Sequence, residues 1–282
     1  MQHKKAIVTG GSTGIGRGIV RSLAKAGYDV VFSYRSNEES AQNVLRQLRE
    51  QYPKGTFGML AADFKNGAAA KPFFREAVRL LGGLDLLVNN AGVTLKDSIF
   101  DLDEQQFDTL VQVDFKNYIF LMKEAVTYMA AGHIEGSVVN ITSSRAERAY
   151  PGDAIYGAVK AGMNRAIKSV ALDVAPYGIR VNNIAPGATM RLTAEEMASD
   201  RYKDTPHVQK IAYLSPRIPL ARYGTPADIG DAVVFLASEK ASYITGETIC
   251  IDGGLTLPGM PETKEEGENG WGASVREITW QD

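Results

Sequence analysis

The chain has 282 residues, 44% hydrophobic and 23% charged, with a formal net charge of −2, the balance of a soluble globular protein large enough for one α/β domain. No basic block stands out, which argues against a nucleic-acid partner, and no run of about 18 apolar residues offers a membrane span. The single cysteine, Cys250, excludes an internal disulfide and a cysteine-rich metal site.

The N-terminus runs straight into an apolar segment at 6–9 that is too short for a signal peptide, so a soluble cytoplasmic chain is expected. Short β-branched runs predict strands at 6–9, 29–34, 56–61, 84–89, 137–142, 180–185 and 248–251. Between them Ile15, Ile19, Val20, Leu23 and Ala26 recur at helical spacing, as do Ala41, Val44, Leu45 and Leu48. Phe73, Phe74, Ala77, Leu80 and Leu81 repeat the pattern before the fourth strand. The strands are continuous apolar runs rather than alternating ones, so helices should cover both faces of a parallel sheet. This predicts an α/β fold, a Rossmann-type doubly wound parallel sheet in a single domain over 1–255. Cys250 falls in the last strand and reads as core. Beyond Leu255 the composition turns polar, with Pro258, Gly259 and Pro261 followed by a glutamate-rich stretch. The extension over 256–282 reads as loosely ordered, or as an arm that packs Trp280 onto a neighbouring subunit.

The first strand-to-helix turn reads Thr9-Gly10-Gly11-Ser12-Thr13-Gly14-Ile15-Gly16. Glycines there let the backbone bend and approach a pyrophosphate at the positive end of the following helix. Gly10-x-Ser12-x-Gly14 also fits a hydrolase nucleophile elbow, but that elbow needs strands upstream of the serine and none precede this one but the first. A Walker phosphate loop fails as well, because no Gly-Lys-Ser/Thr follows. At the end of the second strand stand Tyr34, Arg35, Ser36 and Asn37, with no acid until Glu38. A carboxylate there would hold the ribose of NAD, whereas a cation suits the extra phosphate of NADP. Arg35, helped by Ser36 or Asn37, therefore favours NADP, with NAD use also open. Asn89-Asn90-Ala91-Gly92 ends the fourth strand, at the sheet edge where ligands of such folds sit.

Ser143, Tyr156 and Lys160 form the reactive trio. Tyr156 and Lys160 are spaced i, i+4 and share a helix face. A phenol ordinarily titrates near pH 10, and a neighbouring ammonium together with an oxidised nicotinamide favours its ionised form. Ser143, just past a strand, is placed to hold a substrate oxygen. Tyr-x-x-x-Lys alone is an ordinary exposed helix pair; its company here gives it meaning.

These motifs together, with Pro186-Gly187, resemble the short-chain dehydrogenase/reductase family over about residues 4–255. Within it the likeness is to glucose 1-dehydrogenases and 3-oxoacyl-carrier-protein reductases, carried by Tyr34-Arg35-Ser36, the stretch Ala175 to Asn182 and the stretch Ala241 to Gly246. The resemblance implies that Tyr156 is the acid/base, Lys160 binds the nicotinamide ribose, Ser143 polarises the substrate, Asp63 contacts the adenine and Asn90 lines the cofactor. It also implies a homotetramer acting on a small-molecule alcohol or ketone. Two positions depart from the family pattern. Asp114 stands where the family has a catalytic Asn, and it is expected to reach Lys160 through a bridging water. Arg191 stands where the family has a threonine that contacts the carboxamide, with Thr189 and Thr193 nearby.

Residues 188–220 are expected to close the substrate pocket, with Met190, Leu192, Met197, Tyr202, Tyr213 and Leu214 beside Arg191, Arg201 and Lys203. The glucose-dehydrogenase likeness points to a sugar or polyol. The stretch Val93 to Asp97 looks more like the oxoacyl reductases, and steroid-like alcohols stay open. His3, His133 and His207 show no ligand spacing, so no metal is expected. A sequon at Asn140 falls in an expected buried strand. Two rival readings fit less well: a non-enzymatic dinucleotide sensor has no need of Tyr156 and Lys160, and a sugar-nucleotide epimerase needs a larger C-terminal domain than the few, polar residues after 255 supply.

Overall fold

The computed structural model describes residues 3–192, 194–199, 202–203 and 205–257. Its strands are β1 (Lys5–Val8), β2 (Asp29–Tyr34), β3 (Phe57–Ala61), β4 (Leu86–Asn89), β5 (Ser137–Ile141), β6 (Arg180–Pro186) and β7 (Thr248–Ile251). They form one seven-stranded sheet in the order β3-β2-β1-β4-β5-β6-β7, with every pair parallel. The expected strands are all present, two with the expected bounds and five with an end moved by one or two residues. The chain builds outward from β1 to β3, then returns to place β4 on the other side of β1. The crevice between the carboxyl ends of β1 and β4 is thus the topological switch point, where open α/β sheets bind ligands.

The helices are α1 (Gly14–Lys25), α2 (Glu38–Gln51), α3 (Ala70–Leu81), α4 (Glu104–Val111), α5 (Asn117–Ala131), α6 (Ala154–Val174), α7 (Ala194–Ala198), α8 (Pro206–Leu214) and α9 (Pro226–Ala237). One core layer packs Ile19, Val20, Leu23, Val44, Leu48, Ile229 and Val233 of α1, α2 and α9 on one face of the sheet. The other packs Phe73, Phe74, Leu121, Met122, Met163 and Ile167 of α3, α5 and α6 on the opposite face. The continuous apolar strands are explained by this double cover.

Cys250 corrects one expectation. It lies in β7 but is exposed, because β7 is the edge strand of the sheet. Asn140, by contrast, is fully buried, so its sequon is out of reach. Its amide donates to Asn183 Oδ1 at 3.0 Å and its carbonyl accepts from Asn89 Nδ2 at 2.9 Å. The three asparagines sit opposite one another on β4, β5 and β6, a buried polar tie that fixes register. Trp280 and the extension beyond Leu257 lie outside the described residues, as do Thr193 and Arg201.

Candidate active site

A cavity of about 780 Å³ opens at the switch point. Gly10, Ser12, Thr13, Gly14, Ile15 and Gly16 line one side; Tyr34, Arg35, Ser36 and Asp63 line one end. Asn90, Ala91, Gly92, Ser143, Tyr156, Pro186, Gly187 and Thr189 also line it. Two of the sequence-predicted residues, Asp114 and Lys160, are not in its wall and lie buried behind it.

The glycine turn is held by its neighbours. The Gly10 amide donates to Ser33 Oγ at 2.8 Å and the Gly11 amide to the Ser33 carbonyl at 2.8 Å. Asn90 Nδ2 donates to the carbonyls of Thr9 and Gly10 at 2.8 and 3.1 Å. Thr9 Oγ1 accepts from the amides of Asn90 and Ala91 at 2.8 and 2.9 Å. The two loops flanking the crevice are therefore cross-tied, and the Asn90 amide is spent on the turn. Gly14 opens α1 with φ +53°, a left-handed conformation that favours glycine. The preceding Thr13 makes no side-chain cap and the first turn of α1 holds no acid. The amide groups at this helix start are thus left to an anion.

At the other end Arg35 and Ser36 are exposed and Tyr34 is half-buried. Asn37 also lines the cavity, and its Oδ1 accepts from the Ser40 amide at 2.9 Å and caps α2.

The reactive end is built from buried charge. The helical rise after β4 passes through one π-helical turn, Gln112–Lys116, between α4 and α5. This turn carries Asp114 inward, where Oδ2 accepts from the Val93 amide at 2.9 Å and Oδ1 meets Lys160 Nζ at 2.9 Å. The contact is direct, correcting the expected water bridge. A Cβ on Gly92 would stand 2.5 Å from Asp114 Oδ1, so only glycine lets the carboxylate sit there. Lys160 Nζ also donates to the Ile141 carbonyl at 3.2 Å. The Tyr118 hydroxyl donates to the same carbonyl at 3.3 Å. Burial alone would lower the Lys160 value, but Asp114, then the Tyr118 and Tyr156 hydroxyls, outweigh it and hold the ammonium above the ordinary lysine value. The ammonium lies 4.9 Å from the Tyr118 ring centroid and 5.8 Å from that of Tyr156. The sequence spacing gave Tyr156 and Lys160 but not Tyr118, whose only signal is a buried aromatic on α5.

Ser143 is buried, and its Oγ accepts from the Arg145 amide at 3.2 Å. Arg145 pairs with the buried Asp153 at 2.5 Å and stacks 4.1 Å over the Tyr150 ring centroid. This pair braces the loop between Ser143 and Tyr156. Of residues 188–220, Thr189 and Arg191 line the cavity. The apolar members Met190, Leu192, Met197, Tyr202, Tyr213 and Leu214 do not, and Tyr213 is 62% exposed. Lys96 joins Arg145 and Arg191 in the wall. Among the described residues no group of three His, Cys, Asp or Glu side chains forms a metal site, and no helix is long and apolar enough to cross a membrane.

Residues 10–256 match the family model described as enoyl-(acyl carrier protein) reductase. The 3-oxoacyl-[acyl-carrier-protein] reductase of Staphylococcus epidermidis is 35% identical over 256 residues, covering 90% of this chain and 100% of that protein. The 3beta-hydroxysteroid dehydrogenase 1 of Eggerthella lenta is 32% identical over 262 residues, covering 92% and 97%. The solved structure of a short-chain dehydrogenase from Burkholderia cenocepacia in complex with NADP superposes with a TM-score of 0.79 at 30% identity, covering 91% and 99%. Motifs, sheet order and matches agree: the chain belongs to the short-chain dehydrogenase/reductase family, NAD(P)-dependent oxidoreductases acting on CH–OH or carbonyl groups.

Proposed function

We propose that this chain is an NADP(H)-dependent oxidoreductase that reversibly interconverts a ketone and a secondary alcohol. The observation that carries the reading is the single cavity in which the glycine turn, Arg35, Ser143 and Tyr156 stand together. The site suits a dinucleotide, because the open helix start favours a diphosphate and the exposed Arg35 fork favours a further phosphate. No carboxylate ends β2, and a similar structure holds NADP, both of which support NADP over NAD. In this reading Asp63 serves the adenine end, and Asn90, Ala91, Gly92, Pro186, Gly187 and Thr189 bracket the nicotinamide half.

When bound, the cofactor supplies or accepts hydride at the carbonyl carbon. Ser143 orients the substrate oxygen. Tyr156 gives that oxygen its proton in reduction and takes it back in oxidation, a role worth about 10²–10⁴-fold. Lys160 acts from behind the wall: its ammonium is fixed by Asp114 and the Ile141 carbonyl and faces the Tyr156 ring.

For the substrate, the first reading is a 3-oxoacyl thioester. A relative matched over its whole length carries that specificity in its name. Lys96, a cavity cation with no ion pair among the described residues, suits an anionic carrier. A hydroxysteroid is the second reading, favoured by the Eggerthella relative, and a sugar or polyol follows from the sequence likeness alone. We also propose a cytoplasmic homotetramer; Phe107, Phe120 and Leu172, exposed on α4, α5 and α6, offer apolar surface for assembly. The test is consumption of NADPH or NADH with an acetoacetyl thioester and a 3-ketosteroid, and formation of NADPH from glucose. NADPH-linked reduction of the thioester is expected. Failure of every ketone with both cofactors would refute the reading.

A further inference from the structure

Arg191 lies five residues beyond the end of β6, where the family pattern has threonine. Its stem rests on the start of α1. A Cβ on Gly14 would find Arg191 Cα, Cβ and Cγ each at 3.9 Å, and no other atom nearer. The side chain is exposed and lines the cavity beside Ser12, Thr13 and Gly14.

The segment carrying Arg191 is anchored on both sides. Before it, Thr189 bridges to Gly224 and the Met190 amide donates to the Gly224 carbonyl at 2.8 Å. After it, Glu196 of α7 takes both terminal nitrogens of Arg17 on α1, at 2.9 and 2.7 Å. Arg191 is thus tethered within a short span over the first turn of α1.

Electrostatically this is an unfavourable place for a free cation. The helix start is already the positive end of the α1 dipole, and it has neither cap nor acid to offset it. Lys96 and Arg145 share the cavity wall; the Lys96 ammonium is held below its ordinary value by burial first and then by Arg145, Lys210 and Arg191. Among the described residues no hydrogen bond or ion pair engages the Arg191 guanidinium. A cation whose stem lies at a bare helix start, in a wall shared with other cations, is relieved by an anion with two acceptor oxygens, the geometry a guanidinium fork fits.

We infer that Arg191 grips the diphosphate of the bound dinucleotide, so that the cofactor is held by cations at two points, Arg35 at one end of the cavity and Arg191 over the glycine turn. The inference rests on the dinucleotide reading above and adds a residue to it. Arg191 takes the place of a threonine hydroxyl with a charge, and the contacts of Thr189 and Met190 with Gly224 and of Glu196 with Arg17 serve to position it.

The test is direct binding, by calorimetry, of two cofactor fragments to the intact protein. ADP-ribose carries the diphosphate and no 2′-phosphate; 2′-AMP carries the 2′-phosphate and no diphosphate. Arg191→Ala should weaken ADP-ribose and NADPH at least tenfold and leave 2′-AMP within twofold. Arg35→Ala should do the reverse for the fragments. Arg191→Lys, which keeps charge without the fork, should fall between wild type and Arg191→Ala for ADP-ribose. An unchanged ADP-ribose affinity in Arg191→Ala, or an equal loss for both fragments, would overturn the assignment while leaving the proposed activity standing. Failure of the wild type to bind NADPH at all would instead remove the dinucleotide reading itself.

Discussion

The two ends of the cavity are shaped by different means. Around the glycine turn the shape is backbone: amides tied to Ser33, Thr9 and Asn90, a left-handed Gly14, and a helix start left bare. At the reactive end it is side-chain charge, Asp114 against Lys160, both withdrawn from the cavity and from water. The lesson is one of fragility. Charges at the solvent-facing end can change without disturbing the fold, whereas removing one partner of the buried pair strands the other.

The largest effect should come from Asp114→Ala. An unpaired buried ammonium costs about 3–5 kcal/mol of folding stability, read by urea unfolding. Asp114→Asn should lose much less, because an amide oxygen still faces Lys160. The pH dependence follows from the raised Lys160 value. The stability it contributes is fully present below the unfolded lysine value of about 10.4 and is lost as pH rises through the higher folded value. In Asp114→Asn, whose folded value is lower, that loss should be smaller and complete at lower pH. An Ala variant within about 1 kcal/mol of wild type would erase the contrast between the two ends.

Arg35→Asp sharpens it from the other side. Folding stability should stay within about 0.5 kcal/mol. The ratio of kcat/KM for NADPH over NADH should fall by about ten- to a hundredfold, the worth of one charged hydrogen bond. Gly92→Ala should cost about 1–3 kcal/mol by overpacking against Asp114, measured by thermal unfolding. The smallest effect belongs to the frame both ends share. Thr225 caps α9 in a reciprocal box with Asp228, and Thr225→Ala should cost about 1 kcal/mol.

What was legible in the sequence was local. Strand runs, the glycine turn and the helical spacing of Tyr156 to Lys160 depend on neighbours in the chain, and the structure has them where expected. Asp114 was visible as a departure from a pattern, but its direct contact with Lys160 joins a π-helical turn to a helix that follows a strand later. No periodicity encodes that. The need for glycine at position 92 was hidden for the same reason, since it is set by a carboxylate arriving from another element. Cys250 misled because an apolar run says strand without saying edge. The apolar residues of 188–220 were expected in the pocket by composition, yet its wall takes Thr189 and Arg191 from that segment.

The central claim is that the Tyr156 hydroxyl carries the proton of the reaction while the rest of the cavity binds the dinucleotide. Tyr156→Phe separates the two in one experiment, turnover on the best ketone set against NADPH affinity by fluorescence titration. The account predicts a fall in kcat of at least about a hundredfold with the dissociation constant unchanged within twofold. Turnover retained near the wild-type rate would contradict it.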